Sequence, residues 1–121
     1  MSYHYDWLMR QIESLIAMLR YILTGEKTHM VTIDTRAPAT AGENPLYLQL
    51  QTLVRQEKIC EAENLLYEAL ENPGQQVYDA ALRFYEDLNR LSDETLTRCN
   101  FSRQEILEGL QDICHRLGIP Q

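Results

Sequence analysis

Histidine and cysteine are the side chains of this sequence that could bind a metal or act as a nucleophile. They are His4, His29, His115, Cys60, Cys99 and Cys114. Their spacing matches no metal site, because neither a C-x-x-C nor an H-x-x-x-H pair occurs. Cys114 and His115 are adjacent, so on a helix they would point about 100° apart. We therefore expect no metal site, and we interpret the cysteines, which fall on or beside apolar stripes, as structural.

Carboxylate pairs at helical spacing could support acid–base chemistry. Glu57 and Glu61, like Glu105 and Glu108, stand about one turn apart. A di-iron bundle needs Glu-x-x-His on a core face, whereas Glu108 is followed three residues later by Gln111. Most of these carboxylates lie opposite the apolar residues, as on a solvated face. No G-x-S-x-G sequence and no glycine-rich phosphate loop occurs, so we expect no catalytic residue and no cofactor.

The overall charge of the sequence disfavours some classes of binding partner. The 121 residues carry a formal net charge of −7, and most of the acidic excess follows residue 44. A nucleic-acid-binding regulator needs a basic patch, so that class is disfavoured, as is binding to an anionic membrane. Charged residues interrupt the apolar run near the N-terminus, which argues against a membrane span or a signal peptide. Together with three widely spaced cysteines, these features predict a cytoplasmic protein.

Apolar residues at spacings of three and four predict helices along most of the sequence, and no sustained strand pattern appears. We therefore expect an all-α fold, an antiparallel stack of short helices within a single domain overall. Asn44-Pro45, Ser92 and the pair Ser102 and Glu105 are helix-start signals. Helices are predicted over 5–24, 45–56, 57–73, 76–91, 93–99 and 103–117.

Small residues mark the stretch 57–73, which we expect at the centre of the stack. Ala62 and Ala69 lie in its apolar stripe and would let a neighbouring helix approach closely. With the preceding helix it resembles one tetratricopeptide repeat over 43–76, although Leu50 stands where that motif normally has a small residue. No second copy follows at the repeat period, so the resemblance implies a single tetratricopeptide-like hairpin rather than an array.

The N-terminal region has a different character. Residues 1–24 form an amphipathic helix in which Trp7, Met9, Met18 and Tyr21 lie partly off the main stripe, so it is apolar on more than one side. Residues 25–43 form an irregular arm or linker in which 30–34 could be extended, and 44–121 form the helical body. We predict that the first helix contacts a second subunit, through Trp7, Leu8, Ile12, Leu15 and Leu19.

The opening residues 6–13, DWLMRQIE, are similar to a family of short, uncharacterised bacterial proteins. The order of elements after them, an apolar helix, a glycine and a later helical hairpin, fits that family over most of the chain. The resemblance implies an all-α structure and a bacterial cytoplasm, and it implies no activity.

Two functions from different classes remain open. The leading hypothesis is a homodimeric interaction module that acts by protein–protein contact and is not an enzyme. The alternative is an enzyme or small-molecule binder, which would require a polar pocket between helices with inward carboxylates or histidines.

Overall fold

A computed structural model of the protein describes residues 2–24 and 44–119. Within these ranges the fold is all-helical, as the sequence predicts, and no strand is present. The predicted arm 25–43, with its extended piece at 30–34, lies outside the described residues. The helices are α1 (Ser2–Thr24), α2 (Pro45–Arg55), α3 (Ile59–Ala69), α4 (Gln75–Arg90), α5 (Asp93–Arg98) and α6 (Arg103–Arg116).

Three helices begin at the caps that the sequence predicts. The side chains of Asn44 and Ser92 accept hydrogen bonds from the first turns of α2 and α5. At α6 the hydroxyl of Ser102 accepts from the amide of Glu105 at 3.2 Å. The Glu105 carboxylate accepts from the Ser102 amide at 2.9 Å, which completes the capping box. These bonds satisfy amide groups that a helix start otherwise leaves without partners.

The turn between α2 and α3 contains no glycine. Glu57 takes the left-handed conformation there, with φ 62°, a position that glycine usually fills. The Lys58 amide donates to the Leu53 carbonyl at 2.8 Å and closes the end of α2. Arg98 holds the Glu57 carboxylate from the end of α5, with its Nη2 2.8 Å from Oε2.

Helix α4, rather than the 57–73 stretch, lies at the centre of the core. It packs against α1, α2, α3 and α6, whereas α3 packs chiefly against α2. Ala80 and Ala81 are both fully buried, and adjacent residues of a helix point about 100° apart. Helices can therefore approach α4 closely from two directions. The other buried residues of α4 are Leu82, Phe84, Tyr85, Glu86 and Leu88.

Helix α1 packs along α6 and α4 and covers one side of the core. No helix in the part of the chain that the structure describes is long and apolar enough to cross a membrane.

Candidate interaction surface

The five residues predicted at a subunit contact divide between the inside and the outside of α1. Ile12 and Leu19 are fully buried and Leu8 is 6% exposed. These three side chains belong to the protein's own core. Leu15 is half-buried, and Trp7 is 45% exposed. In this fold a second chain has access to Trp7, while the three inner side chains are already covered.

A second row of residues runs along the outside of α1, and we call it the outer stripe. Its spacings alternate between three and four, the heptad pattern of helices that pair with other helices. Tyr21 is 66% exposed, Met18 is half-buried, and the others are exposed. No aspartate, glutamate, lysine or arginine occurs in it. Its members are His4, Trp7, Gln11, Ser14, Met18 and Tyr21.

Sequence periodicity showed only part of the outer stripe. Trp7, Met18 and Tyr21 are apolar and lie off the main stripe, so apolar periodicity indicates them. Gln11 and Ser14 are polar, so the same periodicity does not include them. The signal present in the sequence is the alternating spacing of three and four, which links all six members of the outer stripe. At the N-terminal end, the rings of His4 and Trp7 stack with their centres 5.9 Å apart.

Polar contacts fix the rotation of α1 against the body. Arg20 forms an ion pair with Glu86 of α4, whose side chain is only 10% exposed. The Gln75 side-chain amide donates to the Leu23 carbonyl at 2.9 Å. Together with the buried inner face, these contacts hold the outer stripe toward solvent, except for Met18, which packs partly against the core.

A polar cleft of about 320 Å³ opens beside α1, between it and helices α2 and α4. Three arginines and three carboxylates account for most of its wall. Arg20 comes from α1, and the others come from α4. They are Arg20, Arg83, Arg90, Asp79, Glu86 and Asp87.

The charges of the polar cleft are paired with one another. Arg83 contacts Asp79 at 3.2 Å, and Arg90 contacts Asp87 at 3.0 Å. The hydroxyl of Tyr47 donates to Asp87 at 2.7 Å, and the Arg83 guanidinium lies 5.0 Å from the centre of the Tyr47 ring. Burial, followed by the bond to Asp87, raises the pKa of Tyr47 to about 12. The network attaches α2 to α4, and it offers a ligand no excess of either charge.

A family model matches residues 2–118, nearly the whole chain. The chain belongs to DUF6483, a family of unknown function. This confirms the expectation of an uncharacterised family, and the match includes α1 as well as the helical body. No curated protein and no solved structure matched the chain.

In this DUF6483 protein a second polar network lies between α3 and α4. Tyr85 is 1% exposed and donates to the Glu63 carboxylate of α3 at 2.8 Å. Burial raises the pKa of Glu63, and it also raises the pKa of Tyr85. The neighbouring Tyr67 has a raised pKa for the same reason. We interpret the network as structural, because the Tyr85 hydroxyl and the Glu63 carboxylate satisfy each other.

The cysteines of this DUF6483 chain occupy three different environments, and all are free thiols. Cys114 is fully buried, as expected of a structural cysteine, and Cys99 is half-buried. The expectation is wrong for Cys60, which is exposed on α3 because the inward position belongs to its neighbour Ile59. Across residues 2–24 and 44–119, no three histidine, cysteine or acidic side chains group in a way that could hold a metal ion.

Proposed function

We propose that this protein acts by contact with another protein chain, and that the outer stripe of α1 binds a second copy of the chain. The observation that carries the proposal is the exposure of Trp7 and Tyr21 in an uncharged row with heptad spacing. Large aromatic side chains are enriched at the centres of interfaces, because they bury much apolar area with few rotatable bonds.

The charge of the chain agrees with this choice of surface. Each copy carries a formal net charge of −7, so two copies repel one another at most surfaces. The outer stripe itself contains no acidic residue, unlike most of the remaining surface. We therefore propose a homodimer rather than an acidic surface for a basic partner.

The proposal also covers the body and its setting. We propose that α2 and α3 form a tetratricopeptide-like hairpin within an antiparallel helical stack, supported by their mutual packing and by the burial of Ala62 and Leu66. We propose a bacterial cytoplasmic protein without a catalytic step, cofactor, nucleic-acid partner or membrane partner.

A matched pair of surface variants tests the proposed contact. Trp7 on α1 and Leu48 on α2 are large apolar residues with nearly equal exposure, 45% and 47%. In sedimentation velocity we expect Trp7→Glu to raise the dimer dissociation constant by about tenfold or more, because it would bury a charge. Leu48→Glu should leave the constant unchanged. Equal effects of the two variants would contradict the assignment of the surface to α1.

The polar cleft favours a second candidate function, the binding of a small polar molecule. A small-molecule binder requires a polar pocket between helices with inward carboxylates. The polar cleft has a suitable volume and three carboxylates, those of Asp79, Glu86 and Asp87. Inorganic phosphate, succinate and free arginine are suitable probes, followed by the chemical shifts of backbone amides in α4. Shifts that saturate around Arg83 and are lost in Arg83→Met would support this function, and unchanged spectra at millimolar probe would contradict it.

A further inference from the structure

Resting on the proposed self-association, we propose that the two copies of α1 pair antiparallel about a two-fold axis that passes between Gln11 and Ser14. The outer stripe consists of two alternating sets of residues, one with His4, Gln11 and Met18 and the other with Trp7, Ser14 and Tyr21. In an antiparallel pair of helices, each residue of one set packs beside a residue of the other set on the partner helix. Trp7 then lies beside Met18 of the second copy, and Gln11 beside Ser14 of the second copy. His4 lies beside Tyr21 of the second copy at each end.

The sizes of the side chains favour this arrangement over a parallel one. A parallel pair would set Trp7 against itself and Ser14 against itself, so the widest and the narrowest layers would lie only two turns apart. The antiparallel pair instead places the large Trp7 beside the medium-sized Met18, and Gln11 beside the small Ser14. The layers of side chains between the two helices are then more similar in width. Close packing needs layers of similar width, because straight helices hold a nearly constant separation.

The chemistry of each layer also fits the antiparallel register. A methionine sulfur beside an aromatic ring is a favourable contact, and Trp7 gains one from Met18. The amide of Gln11 and the hydroxyl of Ser14 can hydrogen-bond across the centre. A polar pair in an otherwise apolar seam fixes the register, because any shift leaves it without partners.

The helix dipoles also favour the antiparallel register, because two helices that run in opposite directions place their dipoles in opposition.

The size of the contact indicates how tightly the copies bind. A pair of single helices falls at the low end of specific interface areas, so we expect a dissociation constant on the order of micromolar. Cross-linking should therefore be carried out at tens of micromolar, roughly tenfold above that constant.

Site-directed disulfides distinguish the registers. Gln11→Cys and Ser14→Cys are made in the full chain with Cys60→Ser and Cys99→Ser, and the buried Cys114 is kept. The two variants carry tags of different size, are mixed, and are oxidised gently. We expect the mixed product, Q11C joined to S14C, to exceed either symmetric product about threefold or more, because cysteines with Cα atoms more than about 7 Å apart do not join.

The other outcomes separate this inference from the proposed function. A dimer in sedimentation whose Ser14→Cys variant alone cross-links efficiently would overturn the antiparallel register, because a parallel pair brings Ser14 against itself. The proposed self-association would survive that result. A monomer at every concentration, with no cross-link in the mixture, would overturn both.

Discussion

Gly109 of α6 lies directly against the phenol ring of Tyr85 of α4. A Cβ atom added to Gly109 would stand 2.3 Å from Cζ of that ring, far closer than carbon atoms approach without a bond. Helices α4 and α6 therefore come together at a point where one of them has no side chain. Because the Tyr85 hydroxyl bonds to Glu63 of α3, the same ring links three helices.

Gly109→Ala should consequently destabilise the protein. Alanine is the better helix former by about 1 kcal/mol, but displacing a buried ring costs typically about 1–3 kcal/mol. We expect a net loss in the free energy of unfolding, measured by urea denaturation. Gln111→Ala, an exposed change on the same helix, should alter stability by less than about 0.5 kcal/mol. A Gly109→Ala protein as stable as the native one would show that the ring moves freely.

Glu63→Gln should change how stability depends on pH. The pKa of Glu63 is raised in the folded state, so the folded protein holds this proton more tightly than the unfolded chain does. The bound proton contributes most to stability below the ordinary pKa of glutamate, and this contribution is lost as pH rises through the pKa of the folded state. Glutamine does not titrate, so the variant avoids this loss of stability, and its side-chain oxygen can still accept the hydrogen bond from Tyr85. We expect the variant to gain stability relative to the native protein between about pH 4 and pH 7.

Chemical denaturation at the two ends of that pH range measures the effect. The free energies of unfolding of the variant and native proteins are subtracted at each pH, which removes the contributions of other titrating groups. An unchanged difference across the range, or a relative loss for Glu63→Gln at the higher pH, would contradict the raised pKa.

Glu57→Gly should raise the melting temperature. The left-handed conformation of Glu57 costs a residue with a side chain about 1 kcal/mol or more, whereas glycine adopts it freely. The variant also loses the ion pair between Glu57 and Arg98. Because this pair is exposed, its loss offsets only a small part of the gain in stability. Asn100→Gly is the matched control, because Asn100 has the same φ of 62° and asparagine tolerates it better. Calorimetry should show a larger increase for Glu57→Gly, and a decrease would mean that the Arg98 pair dominates.

Charged substitutions on the two faces of α1 should have different consequences. Ile12→Asp places a carboxylate in the core, where the residue is fully buried, and we expect a loss of several kcal/mol, about 4 or more. Trp7→Glu should keep the native circular dichroism spectrum and, at concentrations below the dimer dissociation constant, the native melting curve, because Trp7 is exposed in the single chain. A folded Ile12→Asp protein with a native melting curve would show that α1 does not pack on the body as described.

The helices could be predicted from the sequence because their signals are local. The caps at Asn44, Ser92 and Ser102 and the apolar periodicities need only neighbouring residues. The central position of α4 could not be predicted in this way, since periodicity shows which face of a helix is apolar but not which helix is enclosed by others. The small residues Ala62 and Ala69 favour a central position for 57–73, but the adjacent Ala80 and Ala81 allow helices to approach α4 from two sides.

The candidate surface was only partly predictable for a similar reason. An apolar pattern cannot distinguish a face covered by the same chain from one left open, so the sequence predicts the same contact for Leu8 and Trp7. The ion pair between Arg20 and Glu86, which helps to set the rotation of α1, joins positions far apart in the sequence. The polar cleft depends on the same distant contacts and carries no local motif.

Sedimentation equilibrium of the native chain tests the central claim most directly. Over a range of about 1 to 100 µM, which brackets the affinity expected of a single helix pair, the weight-average mass should rise toward twice the chain mass of 14.2 kDa. The curves should fit a monomer–dimer equilibrium with a dissociation constant on the order of micromolar. A mass that stays at 14.2 kDa throughout that range would contradict the claim that the outer stripe binds a second copy.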